Sequence, residues 1–305
     1  MEPVRETRAA TRSLVRGLKI LGGPGEEVDL AFSECHVLVE LGERGASTVS
    51  ELSDLLVLEK STVSRLVGGL VDKGLLSSRR SPRDGRQRVL ELTDDGQAKV
   101  AEIHRAADRQ VGSAFEFLTA AEQETIRESL ARYAKALRYA RLAEQFRIRP
   151  IQPADNPAMA GIIRSVMTEF GAVGSGFSIE DPEVNRMYET YQADRAAYWV
   201  IESSGEVLGG GGIAALKGGD PDVCELQKMY FHPRLRGCGL GVPLIKRCLA
   251  AAREFGYAAC YLETLDHMHQ ARRLYRRMGF EDLDAPCGAT GHYKCNSWMM
   301  LRLRA

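Results

Sequence analysis

Residues 224–241, CELQKMYFHPRLRGCGLG, carry the densest chemistry in the chain. An alternating apolar run ends at His232-Pro233. Arg236, Gly237, Cys238, Gly239, Leu240 and Gly241 follow at once, and a helical apolar pattern of Leu244, Ile245, Leu249 and Ala252 comes next. A strand feeding a glycine-rich turn at a helix start makes an anion site out of backbone. The first N–H groups of a helix lack intrahelical acceptors, and the helix dipole favours negative charge there. Glycine removes the Cβ atoms that would keep a pyrophosphate away. Three glycines alone equally suit a plain turn, so the elements around the loop decide the matter.

Those elements continue in order. Residues 260–263 read as a further strand, and residues 270–280, QARRLYRRMGF, as a helix ended by Gly279. With Arg236, Gly239 and Gly241 at Arg-x-x-Gly-x-Gly spacing, and Tyr275 before the pair Gly279-Phe280, the region resembles the GCN5-related N-acetyltransferases, the GNAT superfamily. The resemblance covers residues 146–305. It implies an α/β acyltransferase fold with a mixed, centrally splayed sheet, in which the strand carrying Glu225 and the one carrying Cys260 part to admit a thioester and an amine from opposite sides. Residues 158–170 and 182–191 are expected to be its first two helices, and residues 198–202 and 207–216 paired strands.

Acetyl transfer from acetyl-coenzyme A to an amine has three requirements. The amine must lose a proton, the thioester oxygen must be stabilised as it becomes an oxyanion, and the departing thiolate gains from a proton donor. Glu225 is the candidate base, directly or through water; binding the substrate ammonium or pairing with Lys228 are the alternatives. Tyr275, by its match to the family's Tyr-x-x-x-Gly-Phe, is the candidate acid. Backbone groups of Met229, Tyr230 and Phe231 are expected to pair with the pantetheine arm as an added strand would. Amides of Gly237, Cys238, Gly239, Leu240 and Gly241 are expected to hold the pyrophosphate, with Arg236 adding charge. A family position often filled by Asn is not evident; Thr264, His267 or Gln270 stand in its place. Glu183, Tyr188, Glu189 and Tyr191 are candidates to line the acceptor pocket. Cys287, His292 and Cys295 have a loose metal-like spacing but no fourth ligand, so no metal is expected.

The first half reads differently. Thr48-Val49-Ser50-Glu51 fits a capping box, and Val49, Leu52, Leu55 and Leu56 follow as one apolar face. After a short break, Val63, Leu66, Val67, Leu70 and Val71 form a second helical stripe, with Ser61, Thr62, Ser64 and Arg65 on the other side of its N-terminal end. That is where the second helix of a helix-turn-helix meets base edges. Residues 79–88 hold five arginines against one acid, with Asp84-Gly85 as a hairpin turn signal. Leu90 and Leu92 share a strand face, and Thr93 can cap the next helix. A helix-turn-helix followed by a basic hairpin, with Asp84, Arg86, Leu92, Thr93 and Gly96 in register, resembles the multiple-antibiotic-resistance regulators, the MarR family. The resemblance covers about residues 1–145. It implies that Arg86 enters the minor groove, that Asp84 shapes the wing, and that Arg83 and the other wing arginines bind phosphate.

Thr119-Ala120-Ala121-Glu122 is another capping box, and Ile126, Leu130, Tyr133, Leu137 and Ala140 recur with a period of 3.5. MarR-like proteins dimerise through terminal helices, which makes Leu14, Leu18 and Leu21 the expected partners of this seam. A homodimer would then read an inverted repeat in double-stranded DNA.

At 305 residues, two domains are expected, 1–145 and 146–305. Lys plus Arg and Asp plus Glu each number 41, which argues against indiscriminate nucleic-acid binding. There is no apolar run long enough to span a membrane, and residues 1–17 lack an apolar signal core. Seven scattered cysteines suit reduced thiols of the cytoplasm. The expectation is a bifunctional DNA-binding regulator and acetyl-coenzyme A-dependent N-acetyltransferase, acting on the primary amine of a small molecule such as an amino acid or polyamine. A ligand sensor without turnover and a protein-lysine acetyltransferase are the alternatives.

Overall fold

The computed structural model describes residues 2–20, 28–80 and 88–303. Two compact units divide the chain between Arg127 and Glu128.

The first unit opens with α1 (Glu2–Gly17) and α2 (Phe32–Arg44). A two-residue strand β1 (Ser47–Thr48) leads into α3 (Val49–Leu56). The expected capping box is present: the Thr48 hydroxyl accepts from the Glu51 amide at 3.2 Å, and the Glu51 carboxylate accepts from the Thr48 amide at 2.7 Å. A turn through Val57, left-handed at φ 58°, leads to α4 (Lys60–Asp72). Val63, Val67 and Leu70 of α4 are buried with Val37, Leu38 and Leu52 in this unit's core. Val71 departs from the expected stripe: it falls off the buried arc and is 37% exposed. Ser61, Ser64 and Arg65 are exposed and Thr62 half-buried.

The wing is β2 (Leu76–Arg80) paired antiparallel with β3 (Arg88–Leu92), and β1 adds to the other edge of β3. Arg83, Asp84 and Arg86 of the wing tip, and Leu21, lie outside the described residues. Thr93 caps α5 (Asp94–Phe115) by accepting from the Gly96 amide at 3.0 Å, and its hydroxyl donates to the Gly74 carbonyl at 2.7 Å. The helix α6 (Ala120–Ala143) begins with a second capping box, Thr119 with Glu122. No residue of α1 or α6 is buried, and Leu14, Leu130, Tyr133 and Leu137 are exposed. The division between the units falls inside α6, ahead of the boundary expected after residue 145.

In the second unit β4 (Arg147–Pro150) leads through a turn to α7 (Asn156–Glu169). Residues 182–191 are not one helix. A 3-10 turn over Pro182–Asn185 is separated from α8 (Met187–Thr190) by Arg186. The break is held from elsewhere in the chain: the Asn156 side chain accepts from the Tyr188 amide and donates to Glu189, both at 2.8 Å.

The sheet then builds through β5 (Ala197–Ser203), β6 (Glu206–Ala215) and β7 (Val223–Phe231). The segment α9 (Gly241–Glu254), β8 (Ala259–Thr264), α10 (His269–Arg277), β9 (Glu281–Leu283) and β10 (Ser297–Arg302) completes it. Strand order is β4-β5-β6-β7-β8-β10-β9. Every pair is antiparallel except β7 with β8, which is parallel. The sheet is mixed, as expected. Its main core gathers Ile201, Leu208, Ile213, Leu244, Ile245, Leu249 and Leu262 between the strands and α9.

Gly96 shows why the wing's Leu-Thr-x-x-Gly spacing matters. A Cβ there would lie 2.1 Å from the Leu75 carbonyl oxygen, because the first turn of α5 packs directly on the backbone that enters β2. Gly96→Ala is therefore expected to destabilise the first unit by about 1–3 kcal/mol through overpacking. Scanning calorimetry would show a lowered midpoint for that unit's transition, with the second unit's transition unmoved.

Candidate active site

The parallel ladder of β7 and β8 runs only from Val223 opposite Ala259 to Glu225 opposite Tyr261. Beyond it the strands part, and residues 226–231 of β7 are paired by β6 alone. Register against β6 slips between Gly210 and Gly212, and Lys228 takes φ 51°. This is a β-bulge, which bends the strand carrying it. The Tyr198 hydroxyl, from β5, donates to the Lys228 carbonyl at 2.7 Å and pins the bulge. Its ring reaches across β6 only because residues 210 and 212 are glycine: a Cβ at either would come within 2.6 Å of it.

The parted strands open a cleft of about 1110 Å³. Met229, Tyr230, Phe231, Arg236, Gly237, Gly239, Leu240, Gly241, Gln270 and Tyr275 line it, as do Thr264 and His267. Cys238 does not: its thiol turns toward the carbonyls of Arg234 and Arg236. Gly237 and Gly239 take φ 73° and 80°, conformations glycine adopts without strain. Gly241 has another reason: a Cβ would lie 2.6 Å from Leu274, where α9 starts against α10. Among the described residues, the amides of Gly237, Cys238, Gly239, Leu240 and Gly241 have no hydrogen-bond acceptor. Five consecutive unspent donors at a helix N-terminus are a cradle for an anion.

Arg236 is used differently from the expectation. Its guanidinium forks onto Glu169, both contacts at 2.6 Å, and donates to the Phe231 carbonyl at 3.2 Å. Glu169 offsets its charge, so it braces the loop against α7. Arg273 and Arg277, one turn apart on α10, line the cleft without an ion-pair partner among the described residues. They are the better placed cations, and their spacing alone does not set them apart from Arg272 and Arg276 on the same helix.

At the fork lies a charged cluster. Glu225 is 4% exposed and accepts from Gln227 at 2.6 Å. Burial raises its pKa, and the neighbouring Glu263 adds to the rise. Glu263 accepts from Tyr261 at 2.8 Å and from Thr290 at 3.0 Å. His292 lies between acids, 2.9 Å from Asp181 by Nε2 and 3.6 Å from Glu263 by Nδ1. Burial opposes its charge, but those two carboxylates prevail and raise its pKa to about 9. Asp181 also pairs with Lys228; burial works against its charge, yet His292 and Lys228 hold its pKa below the usual range.

Glu225, Glu263 and His292 bring ligand atoms within 4.8 Å of one another. Near neutrality the His292 imidazole holds a proton between the carboxyl groups of Asp181 and Glu263. His292 reaches this cluster rather than joining Cys287 and Cys295. Asp181, Glu263 and His292 were not singled out for it, because they converge only through the fold. Glu183, Tyr188, Glu189 and Tyr191, expected in the acceptor pocket, do not line the cleft. Tyr191 is buried beneath it, donating to Gln227 at 2.9 Å, and Glu189 is held by Asn156.

Tyr275 has a buried ring against Phe280, with centroids 5.9 Å apart. Its hydroxyl has no hydrogen-bond partner among the described residues, and burial raises its pKa, which keeps the proton on oxygen.

A sequence model of the acetyltransferase (GNAT) family matches residues 163–280, and one of the MarR family matches residues 28–87. The uncharacterised N-acetyltransferase YjgM of Escherichia coli K12 is 46% identical over 150 residues, which are 49% of this chain and 90% of that protein. The HTH-type transcriptional repressor IacR of Pseudomonas putida is 27% identical over 105 residues, 34% of this chain and 63% of that protein. The structure of yncA from Salmonella typhimurium, determined with acetyl-CoA, aligns over 52% of this chain and 95% of that one, with 23% identity and a TM-score of 0.45. The second unit is thus an acyltransferase with a splayed mixed sheet. The chain belongs to the GNAT acetyltransferases, with a MarR-type region ahead of the catalytic unit. Acetyl-coenzyme A is its acetyl donor. No helix among the described residues is long and apolar enough to cross a membrane.

The raised pKa of His292 gives a pH test. A group with a folded pKa above its unfolded value contributes stability that is complete below the unfolded value, near 6.5, and is lost as pH rises through about 9. The thermal midpoint should fall more steeply between pH 7 and 10 for the wild-type chain than for His292→Gln, by roughly 2–4 °C for each kcal/mol involved. Parallel curves for the two proteins would show that His292 is not charged in the fold.

Proposed function

We propose that the chain is a cytoplasmic, dimeric DNA-binding regulator that also acetylates the primary amine of a small molecule. The observation that carries the enzymatic half is the buried, raised-pKa carboxyl of Glu225 at the fork, in the same cleft as the loop of unspent amides. An acceptor amine enters beside Glu225 and Glu263, which both line the cleft.

The reaction needs little more than these groups. Glu225 takes a proton from the ammonium, directly or through one water, and burial has raised its basicity for that task. The freed nitrogen attacks the thioester carbonyl carbon in a ternary complex. The edge of β7 released by the splay supports this step, with the amides near Met229 facing the growing oxyanion. As the C–S bond breaks, Tyr275 gives its proton to the thiolate, and the second proton that the nitrogen sheds as the amide forms makes good that loss. Met229, Tyr230 and Phe231 line the pantetheine arm, and the amides of residues 237–241 take the pyrophosphate. An amino acid or polyamine is the preferred acceptor because the cluster is recessed, with Glu225 at 4% exposure.

The regulatory half rests on α3 and α4. Ser61, Ser64 and Arg65 stand exposed at the start of α4, where a recognition helix meets base edges. The exposed apolar residues Leu14, Leu130, Tyr133 and Leu137 supply a dimer seam, and a dimer would read an inverted repeat.

Purified protein incubated with acetyl-coenzyme A and a panel of amines, with coenzyme A release followed by chromatography, tests the enzyme. Amine-dependent release is expected. Glu225→Gln and Tyr275→Phe should each lower kcat by about 10²–10⁴-fold while coenzyme A affinity stays within a few fold. Undiminished turnover in both variants would remove this mechanism. Arg65→Ala should weaken operator binding at fixed salt, by about 1–3 kcal/mol if Arg65 reads a base. An unchanged affinity would take α4 out of the groove.

A further inference from the structure

Tyr139 projects from the last turns of α6, within the second unit, and lines the cleft beside Gly237, Gly239, Leu240 and Gly241. A Cβ built on Gly239 would lie 2.4 Å from Cγ of that ring and 2.6 Å from its Cδ2. The ring therefore rests on the Gly239 backbone in van der Waals contact, and no further atom fits between them. Lys135 and Arg138 flank it, their charges 5.6 and 5.7 Å from the ring centre. The five amides of this loop are unspent. An aromatic face is a weak acceptor at best, so the ring covers the loop without satisfying it.

We propose that Tyr139 is a latch on the anion loop: the ring and the pyrophosphate of coenzyme A compete for the face of the loop at Gly239, and nucleotide binding swings the ring away. The inference rests on the reading of residues 237–241 as the pyrophosphate cradle. Apparent affinity is the intrinsic affinity scaled by the fraction of molecules with an open loop, so the latch weakens every ligand that carries the pyrophosphate and none that lacks it. Gly239 answers to the latch as well as to its own positive φ. Tyr139 belongs to the second unit, so the swing is a side-chain movement within it.

Calorimetric titration of the full chain tests this, with coenzyme A and pantetheine as the two probes. Tyr139→Ala is expected to bind coenzyme A about fivefold more tightly or better and pantetheine as the wild type does. Tyr139→Phe, which keeps the ring, should match the wild type for both. Tyr139→Gln, a second ring-free helix former, should match Tyr139→Ala. Coenzyme A affinity that is unchanged or weaker in both ring-free variants would overturn the latch. A tightening shared equally by pantetheine would also overturn it, since that ligand never reaches Gly239. Failure of coenzyme A to bind the wild type and the variants alike would instead remove the cradle reading, and the latch with it.

Discussion

The parallel ladder between β7 and β8 holds three residue pairs, and the cleft exists because it goes no further. Had the strands stayed paired to their ends, the N–H and C=O groups of residues 226–231 would be spent in the sheet. The bulge at Lys228 turns β7 away, and Tyr198 locks the turn by capturing its carbonyl. That capture depends in turn on two glycines of β6 whose absent side chains leave room for the ring. Glu225 is the last residue of β7 still in the parallel ladder. A carboxylate at the apex of a fork is buried by both strands, yet faces the space between them.

Around that apex electrostatics and sterics are separated. The fork holds acids and cations drawn from β7, β8, the turn near Asp181 and the segment before β10, with Asp181 pairing to both Lys228 and His292. The donor end carries its positive character in backbone amides, reinforced by Arg273 and Arg277. Arg236, the charged residue nearest the loop in sequence, is withdrawn from both ends by Glu169. A fork-to-fork pair of this kind, half-exposed at the cleft's rim, braces the loop and leaves its charge to the amides.

Much of this was legible in the sequence because it is local. Thr48 with Glu51, and Thr119 with Glu122, announce helix starts through bonds three residues long, and both are made. The elements around the glycine loop are legible because a strand, a turn and a helix lie within 20 or so residues. Readings failed where a distant group intervened. Residues 182–191 look like one helix until the Asn156 side chain takes the Tyr188 amide. Arg236 has the right spacing for a phosphate ligand, but Glu169 comes from a helix many residues earlier. Asp181, Glu263 and His292 belong to three separate segments, and no spacing rule joins them. The apolar positions of α6 recur with a period of 3.5, whereas Tyr139, off that stripe, meets Gly239 only through the fold.

Lys228 brings two demands to one position. Its backbone sits at a positive φ that costs an ordinary L-residue about 1–2 kcal/mol and costs glycine almost nothing. Its ammonium is buried against Asp181, and that carboxylate also steadies His292. Glycine or asparagine would relax the chain and orphan the acid; arginine would keep the charge and the strain, with a larger head in a space shaped for a small one. No single replacement serves both the backbone and the charge. Drift at this codon is therefore confined, and variants that reshape the acceptor pocket have to come from the residues around Lys228 rather than from Lys228 itself.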